Sequence, residues 1–497
     1  MNFANHSFSH RFRFLILTLL GLWSFSGCIK KQTPSVILIA ADRLAFNSFS
    51  CGDENEITDS GFAILCQESI RYTNAYTSST FSAAAMGSLL TGNYPFQNGL
   101  HRSTSRIKPE FRLASEEFKS LGYKTSFFSA NANIMRRTGL GRGFDHFDDW
   151  SFLGYPSYTV PFSDQINHFK DWLDNTEDRP FFSVIYNSDL ETLRVDDNHI
   201  ARIEEFDENL LSLIQFLKKN NLWDSNYIIL AGLQGRSDYG RVNESSFSNL
   251  HSENINISFL MKPPRNKGDE GVSLKIDLAS SLVDFGRSLR TLISRQNEEF
   301  SSGEFASLDY TPLWSSNKLD SIGAPASKFN RTLIAESVNP WSPELQTRYS
   351  LLFGNFIYIE KEENELFNRL NDGLESIDIK KNNPDLLLQF EGQLLRIRDI
   401  DKAKKWTGDT YPTKQQVESA RSYWIQNSDR EKLFDLEKKR LIVEELTSPL
   451  STLLIYYLDS KKEKDAVYED ARRVTYNLAF ENIWELWRPD QKWPRPK

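Results

Sequence analysis

Cysteine is scarce in this chain, with three in 497 residues. That excludes a fold stapled by several disulfides. Histidine is scarce too, and the five beyond residue 28 (His101, His146, His168, His199 and His251) show no paired ligand spacing such as HxxxH. Each reads as a surface or packing residue rather than a metal ligand. There is no basic excess: 59 Lys and Arg stand against 67 Asp and Glu, for a net charge of −8. A nucleic-acid footprint is therefore missing. No apolar run is long enough to span a bilayer; the most apolar stretch, Phe14–Phe25, has 12 residues. This excludes a polytopic membrane protein. Repeats and low-complexity tracts are absent as well. What remains is an ordinary globular composition, 39% hydrophobic and 25% charged. Aromatics are plentiful, with 35 Phe and 11 Trp, and predict aromatic-packed cores. The length accommodates two to four domains of about 100–200 residues.

The N-terminus reads as an export signal over residues 1–27. Arg11 and Arg13 form a short basic region ahead of the apolar run Phe14–Phe25. Ser26-Gly27-Cys28 comes next and resembles a bacterial lipobox, which implies that Cys28 is lipidated and becomes the mature N-terminus. Residues 28–34 then form a tether. The expectation is an exported, membrane-anchored bacterial lipoprotein facing the periplasm or the cell surface. An ordinary cleaved signal peptide and an uncleaved anchor are the other readings. Export places Cys51 and Cys66 in an oxidising compartment. They are a candidate disulfide, or equally two buried thiols.

Val36–Ala40 is a continuous apolar run, as expected of a parallel strand buried on both faces. Similar runs recur at Thr125–Phe128, Phe181–Tyr186, Tyr227–Ala231 and Ile257–Met261. Helical patterns lie between them. The clearest starts at His199, with Ile200, Ile203, Phe206, Leu210, Leu211, Ile214 and Leu217 at helical spacing. It stops at Lys218-Lys219-Asn220-Asn221, where Lys suits a helix C-terminus and Asn a left-handed cap. Strands alternating with helices predict an α/β fold with a mostly parallel central sheet flanked by helices. Gly286–Pro325 reads as an irregular crossing to a smaller C-terminal β subdomain, with Leu351–Ile359 and Glu365–Leu370 as a strand pair turning near Asn364. Beyond Lys402, charged helical patterns and the apolar stretches Leu450–Leu458 and Val474–Trp487 predict an extra helical region. The expected domains are 35–300, 301–400 and a helical extension over 401–497.

Several segments, in order, resemble the sulfatase family of the alkaline phosphatase superfamily. Pro34–Asp42 resembles its first strand, which ends in a metal-ligating Asp. Arg71–Tyr76 resembles its "RFTNAY" strand, and Leu89–Pro95 the end of its nucleophile helix. Leu121–Thr125, Gly143–Phe147, Ser273–Gly286 and Glu365–Leu370 match later landmarks. The resemblance runs from about residue 35 to 375. It implies a sulfatase-like fold and cleavage of a sulfate ester at a divalent cation, usually calcium. It also implies a formylglycine nucleophile made within Cys/Ser-x-Pro-x-Arg, with His and Lys as acid and sulfate donors.

The residues that would carry this chemistry depart from the pattern. Asp42 stands at the first metal position, but Arg43 comes after it where many relatives have a second Asp. Ser82 stands at the nucleophile position, with Ala84 in place of Pro and Met86 in place of Arg. The modifying enzyme has no motif to recognise. The second ligand pair, expected after the strand Tyr227–Ala231, is Leu233-Gln234. Leu has no donor atom and Gln only a neutral oxygen. Asn98 replaces a His, Asp189-Leu190-Glu191 replaces a His-bearing loop, and Ser245–Ser248 replaces a Lys or His. One certain carboxylate does not hold calcium, which needs six to eight oxygens.

Plainer roles are open to the same residues. Ser82 precedes Ala83–Met86 and reads as a helix N-cap. Asp42 suits backbone amides or a pair with Arg43. The "GLGRG" run at Gly139–Gly143 lacks the strand–turn–helix setting of a phosphate loop. The acidic pairs Asp148-Asp149 and Asp196-Asp197 read as solvated loops. The leading expectation is a lipid-anchored, catalytically degenerate sulfatase-type protein that needs no cofactor. Its partners would be the membrane, through the lipid, and an anionic saccharide or envelope protein. The alternative is an active sulfuric- or phosphoric-ester hydrolase with a rebuilt calcium or other divalent site. It would use Ser82 as nucleophile, Asp42 as ligand, Gln234 as a weak ligand and Asp189 or Glu191 as replacements. A third class is a structural assembly factor acting through the aromatic-rich C-terminal region, with Trp406, Trp424, Trp484, Trp487 and Trp493.

Overall fold

A computed structural model describes residues 33–403, except 52–59, 102–104, 132, 150, 156–158, 177–178, 192–198, 237–248, 267, 293–303, 317–330 and 338–346. The signal region with Cys28, the acidic pair Asp196-Asp197, Ser245–Ser248 and the helical extension beyond residue 403 lie outside the described residues. The chain divides after Pro34, and the folded unit starts at Ser35.

The strands of the larger sheet are β1 (Val36–Ala41), β2 (Ile70–Tyr76), β3 (Lys124–Ser129), β4 (His146–Asp148), β5 (Phe181–Asn187), β6 (Tyr227–Gly232), β7 (Asn256–Lys262), β8 (Leu274–Ile276) and β9 (Ser280–Ser281). Their order is β4-β3-β5-β1-β6-β7-β2-β8, with β9 also on β2. The pairs from β4 through to β6 are parallel, and β7 runs antiparallel to both β6 and β2. The smaller sheet, β10 (Leu333–Ser337), β11 (Arg348–Phe353), β12 (Phe356–Ile359) and β13 (Glu365–Asn368), is antiparallel in that order. The expected strand Leu351–Ile359 is therefore two strands, turned at Gly354 with φ +56°.

The helices are α1 (Gly61–Gln67), α2 (Ser82–Thr91), α3 (Pro95–Asn98), α4 (Ala114–Ser120), α5 (Phe162–Leu173), α6 (His199–Lys219), α7 (Ser252–Ile255), α8 (Leu282–Thr291), α9 (Thr311–Ser316) and α10 (Pro384–Ala403). Gly286 lies inside α8, so the crossing segment is less irregular than its composition suggests. Among the described residues, no helix is long and apolar enough to cross a membrane.

β1 shows why its apolar run has no polar interruption. Val36, Leu38 and Ala40 enter one core and Ile37, Ile39 and Ala41 the other, because successive strand side chains alternate faces. Both faces are covered, so both sets must be apolar. The first core holds α2, all of whose residues are buried. The second holds α6 through Phe206, Leu210, Leu213, Ile214 and Leu217. Ile200, expected in that stripe, is exposed instead. The helix ends as its sequence predicts, with Asn221 in the left-handed region at φ +55°.

Cys51 and Cys66 are joined in a disulfide, with Cα atoms 5.6 Å apart. It ties the segment after β1 to α1 and closes a short loop of 15 residues' separation. Loop closure at that length is worth about 3 kcal/mol. Reducing the bond, or Cys51→Ser, is expected to lower stability by that order. Urea unfolding with and without reductant measures it, and an unchanged midpoint would contradict it.

Candidate functional site

Three neighbouring parallel strands, β5, β1 and β6, end in register, with Ala41 level with Asn187 and with Gly232. Ligand sites of open α/β sheets form at such carboxyl ends. Asp42 lies directly after β1, Glu191 in the turn after β5, and Leu233-Gln234 after β6. The backbone fixes this edge: Asp42 N donates to Asn187 O at 3.0 Å and Leu233 N to Ala41 O at 2.9 Å. Ser82 reaches the same edge from the start of α2.

Asp42 is fully buried. The Tyr186 hydroxyl donates to its Oδ2 at 2.5 Å, and the Ser82 hydroxyl lies within hydrogen-bonding reach of both Asp42 and Tyr186. Among the described residues, Asp42 Oδ1 has no partner. Burial, and then the charge of Glu191, push the Asp42 carboxyl well above its ordinary range; Tyr186, Ser82 and Arg43 act against this. Glu191 is buried and raised as well, mainly by desolvation, with Arg43 opposing. The phenol of Tyr186 is raised by burial and by Asp42.

Arg43 sits 7% exposed, with its Nη2 3.9 Å from Glu191 Oε1. Its backbone is left-handed at φ +56°. Asn133 donates to Glu191 Oε2 at 3.5 Å, and Asn131 to Ser188 Oγ at 2.8 Å, which pins the turn that carries Glu191. Gln234 is 2% exposed, and neither polar atom of its amide has a partner among the described residues. Leu233 is fully buried in the first core, which also holds the alanines of α2.

The other candidates have gone elsewhere. Asp189 accepts from Phe162 N at 2.8 Å at the start of α5, and burial pushes its carboxyl up to about 6. Asn98 binds Thr91 Oγ1, Asn93 O and Leu100 N, closing the turn after α2. His101 pairs with Glu336 and Asp401, and His251 with Glu375. Two expectations are corrected. Ser82 is the first helical residue rather than the N-cap; Phe81 holds that position with no side-chain bond. Asp148-Asp149 is not a solvated loop. Asp149 is buried against Arg136 at 2.7 Å, and Asp148 accepts from Ser151.

Sequence reasoning misses Tyr186. A tyrosine closing an apolar strand looks like any packing aromatic, and nothing marks its hydroxyl as the partner of Asp42.

The Sulfatase family model matches residues 34–292, and the chain belongs to the sulfatase family. It is 25% identical over 93 residues to the ulvan-active sulfatase of Formosa agariphila, covering 19% of each chain. It is 26% identical over 141 residues to the N-acetylglucosamine-6-O-sulfatase of Bacteroides thetaiotaomicron, covering 28% of this chain and 24% of that one. These matched segments thus span only about a fifth to a quarter of the curated relatives' length. Among solved structures, the phosphonate monoester hydrolase of Agrobacterium radiobacter superposes with a TM-score of 0.57 at 14% identity. That match covers 74% of this chain and 96% of that chain. A Bacteroides thetaiotaomicron protein of glycosaminoglycan metabolism gives 0.54 at 15%, covering 74% and 100%. These two show the fold.

A divalent cation is typical of the family, but the donors among the described residues do not fit one. Among the described residues, no group of three or more His, Cys, Asp or Glu is placed to hold a metal ion. Leu233 offers no donor atom at the second ligand pair. A guanidinium already lies against the second carboxylate.

Proposed function

We propose that this is an exported, lipid-anchored member of the sulfatase family whose ester-cleaving site is degenerate, and that it acts by binding. The observation that carries this is Leu233. At the position of a second ligand pair the chain buries a leucine fully, in the core that also holds the helix bearing Ser82. An apolar side chain there supplies core packing in place of charge. Ser82 has no modification motif around it. The matched relatives, an ulvan-active sulfatase and an N-acetylglucosamine-6-O-sulfatase, support a sulfated or otherwise anionic saccharide as the ligand class. An envelope protein is the other partner in view. The lipid on Cys28 would hold the protein at the membrane.

One observation favours a second reading. Ser82 lies within hydrogen-bonding reach of Asp42, a carboxyl that burial pushes well above its ordinary range. A metal-free hydrolase would use that pair as nucleophile and base.

Turnover of aryl sulfate and aryl phosphate esters, with and without calcium, decides between them. The expected result is no turnover above the uncatalysed rate, with Ser82→Ala unchanged. Leu233→Asp combined with Gln234→His is expected to stay inactive, because the modification motif is missing too. Saturable turnover lost in Ser82→Ala would overturn the binding reading and establish the hydrolase.

A further inference from the structure

We propose that the Arg43 guanidinium is the resident cation of this site, holding Asp42 and Glu191 together in the role a divalent ion has for the carboxylates of an ester-cleaving site. The inference deepens the proposed binding role and rests on it only for the site's location.

Four observations carry it. Two carboxyl groups, Asp42 at 0% and Glu191 at 3% exposure, share one buried edge of the sheet. Two such carboxyls, hydrogen-bonded to each other, are held together by a shared proton or by a counter-charge. The guanidinium of Arg43, itself 7% exposed, is 3.9 Å from Glu191 and acts on Asp42 as well. The backbone of Arg43 takes a left-handed conformation at φ +56°, unusual for a residue with a side chain. Such strain persists only where surrounding contacts over-determine it. Finally, Arg43 comes directly after Asp42, so it sits where a second carboxylate would complete a cation site. The resemblance to the family implies a second Asp at this position in many relatives, and here the charge is positive.

The guanidinium is fixed to the chain, so its contribution does not depend on a free ion. The full chain should therefore keep its site and its stability in chelator. Arg43→Asp reverses the exchange. It leaves three carboxylates, those of Asp42, Glu191 and the introduced side chain, at the strand ends where Gln234 also lies. That is an oxygen set that suits calcium.

The test is thermal unfolding of the purified full chain in EDTA and across a calcium series, with calcium calorimetry alongside. The wild type is expected to show the same Tm in both and no saturable calcium heat. Arg43→Asp should unfold at least about 5 °C lower in EDTA and recover with rising calcium, as binding to the native state requires. A wild type that takes up about one calcium per chain with a higher Tm would overturn the proposal. So would an Arg43→Asp protein that folds but ignores millimolar calcium. If Arg43→Asp does not fold, Arg43→Lys and Arg43→Gln are compared. Lys keeping the wild-type Tm while Gln loses it supports a charge role; equal values for the two overturn it. Calcium binding by the wild type without turnover would sink this proposal alone, and metal-free turnover would sink only the binding reading.

Discussion

Asp284→Ala is expected to lower stability by about 3–5 kcal/mol, the range for breaking a buried ion pair from one side. Asp284 is fully buried at the start of α8. Its Oδ2 accepts from Ser281 N at 2.7 Å and from the Arg331 guanidinium, and its Oδ1 from Leu308 N at 2.7 Å. The substitution removes the helix cap and leaves Arg331 as an uncompensated charge. The effect should spread to the candidate site. α8 lies against α2 so closely that a Cβ on Gly286 would stand 2.4 Å from Ser88 O. A loosened α8 therefore frees α2, including its first residue, Ser82. Urea unfolding gives the magnitude, and amide exchange in α2 reports the spread. A loss below about 1 kcal/mol would contradict the assignment. Asp284→Asn separates the two contributions: it retains one acceptor oxygen but removes the charge that Arg331 needs.

The strand framework is legible in the sequence because burial on both faces of β1, β5 and β6 leaves apolar runs with no alternation, a pattern visible in any one chain. Asp42 is legible for the same reason, as the first polar residue past such a run. What strand ends bring together is not. Glu191 reaches the edge beside Asp42 only because β5 and β1 are neighbours in register, and chain order alone carries no register. Ser82 satisfies the rule for a cap, being a serine ahead of alanines. In the fold the helix already includes it, and its hydroxyl turns to Asp42 and Tyr186. Two adjacent acids such as Asp148-Asp149 usually face water, whereas Arg136, thirteen residues from Asp149, comes back to pair with it. Each of these misses involves a polar partner that the fold supplies, whereas the strand framework rests on apolar period. Function suffers most from this asymmetry, since the site consists of such partners.

His101 should make stability fall as pH rises from near neutral to about 10. Its ring lies between two carboxylates, with Nδ1 3.0 Å from Glu336 and Nε2 3.1 Å from Asp401. Burial works to lower its pKa, but the charges of Glu336 and Asp401 outweigh it and push the ring up to about 10. The unfolded value is about 6.5. A group raised on folding contributes its full stability below the unfolded pKa and loses it as pH climbs through the folded one. Lys108 and Arg398 also act on Asp401, and Tyr349 feels both carboxylates, so the cluster is not a simple pair. Lys262, lowered chiefly by burial to about 8, has the opposite slope in the same window. Subtracting His101→Gln from wild type isolates the histidine. The variant is expected to lose about 3–5 kcal/mol near pH 6, because the buried Glu336 loses its cationic partner. The gap should narrow steadily toward pH 10. The site feels this too. Thr80 N donates to Glu336 O at 2.9 Å and Glu336 N to Ser78 O at 3.0 Å, so the same strand that meets His101 holds the segment leading into Ser82. A constant gap between the two proteins from pH 6 to 10 would mean that the ring is neutral throughout. The strand would then owe its position to β-pairing alone.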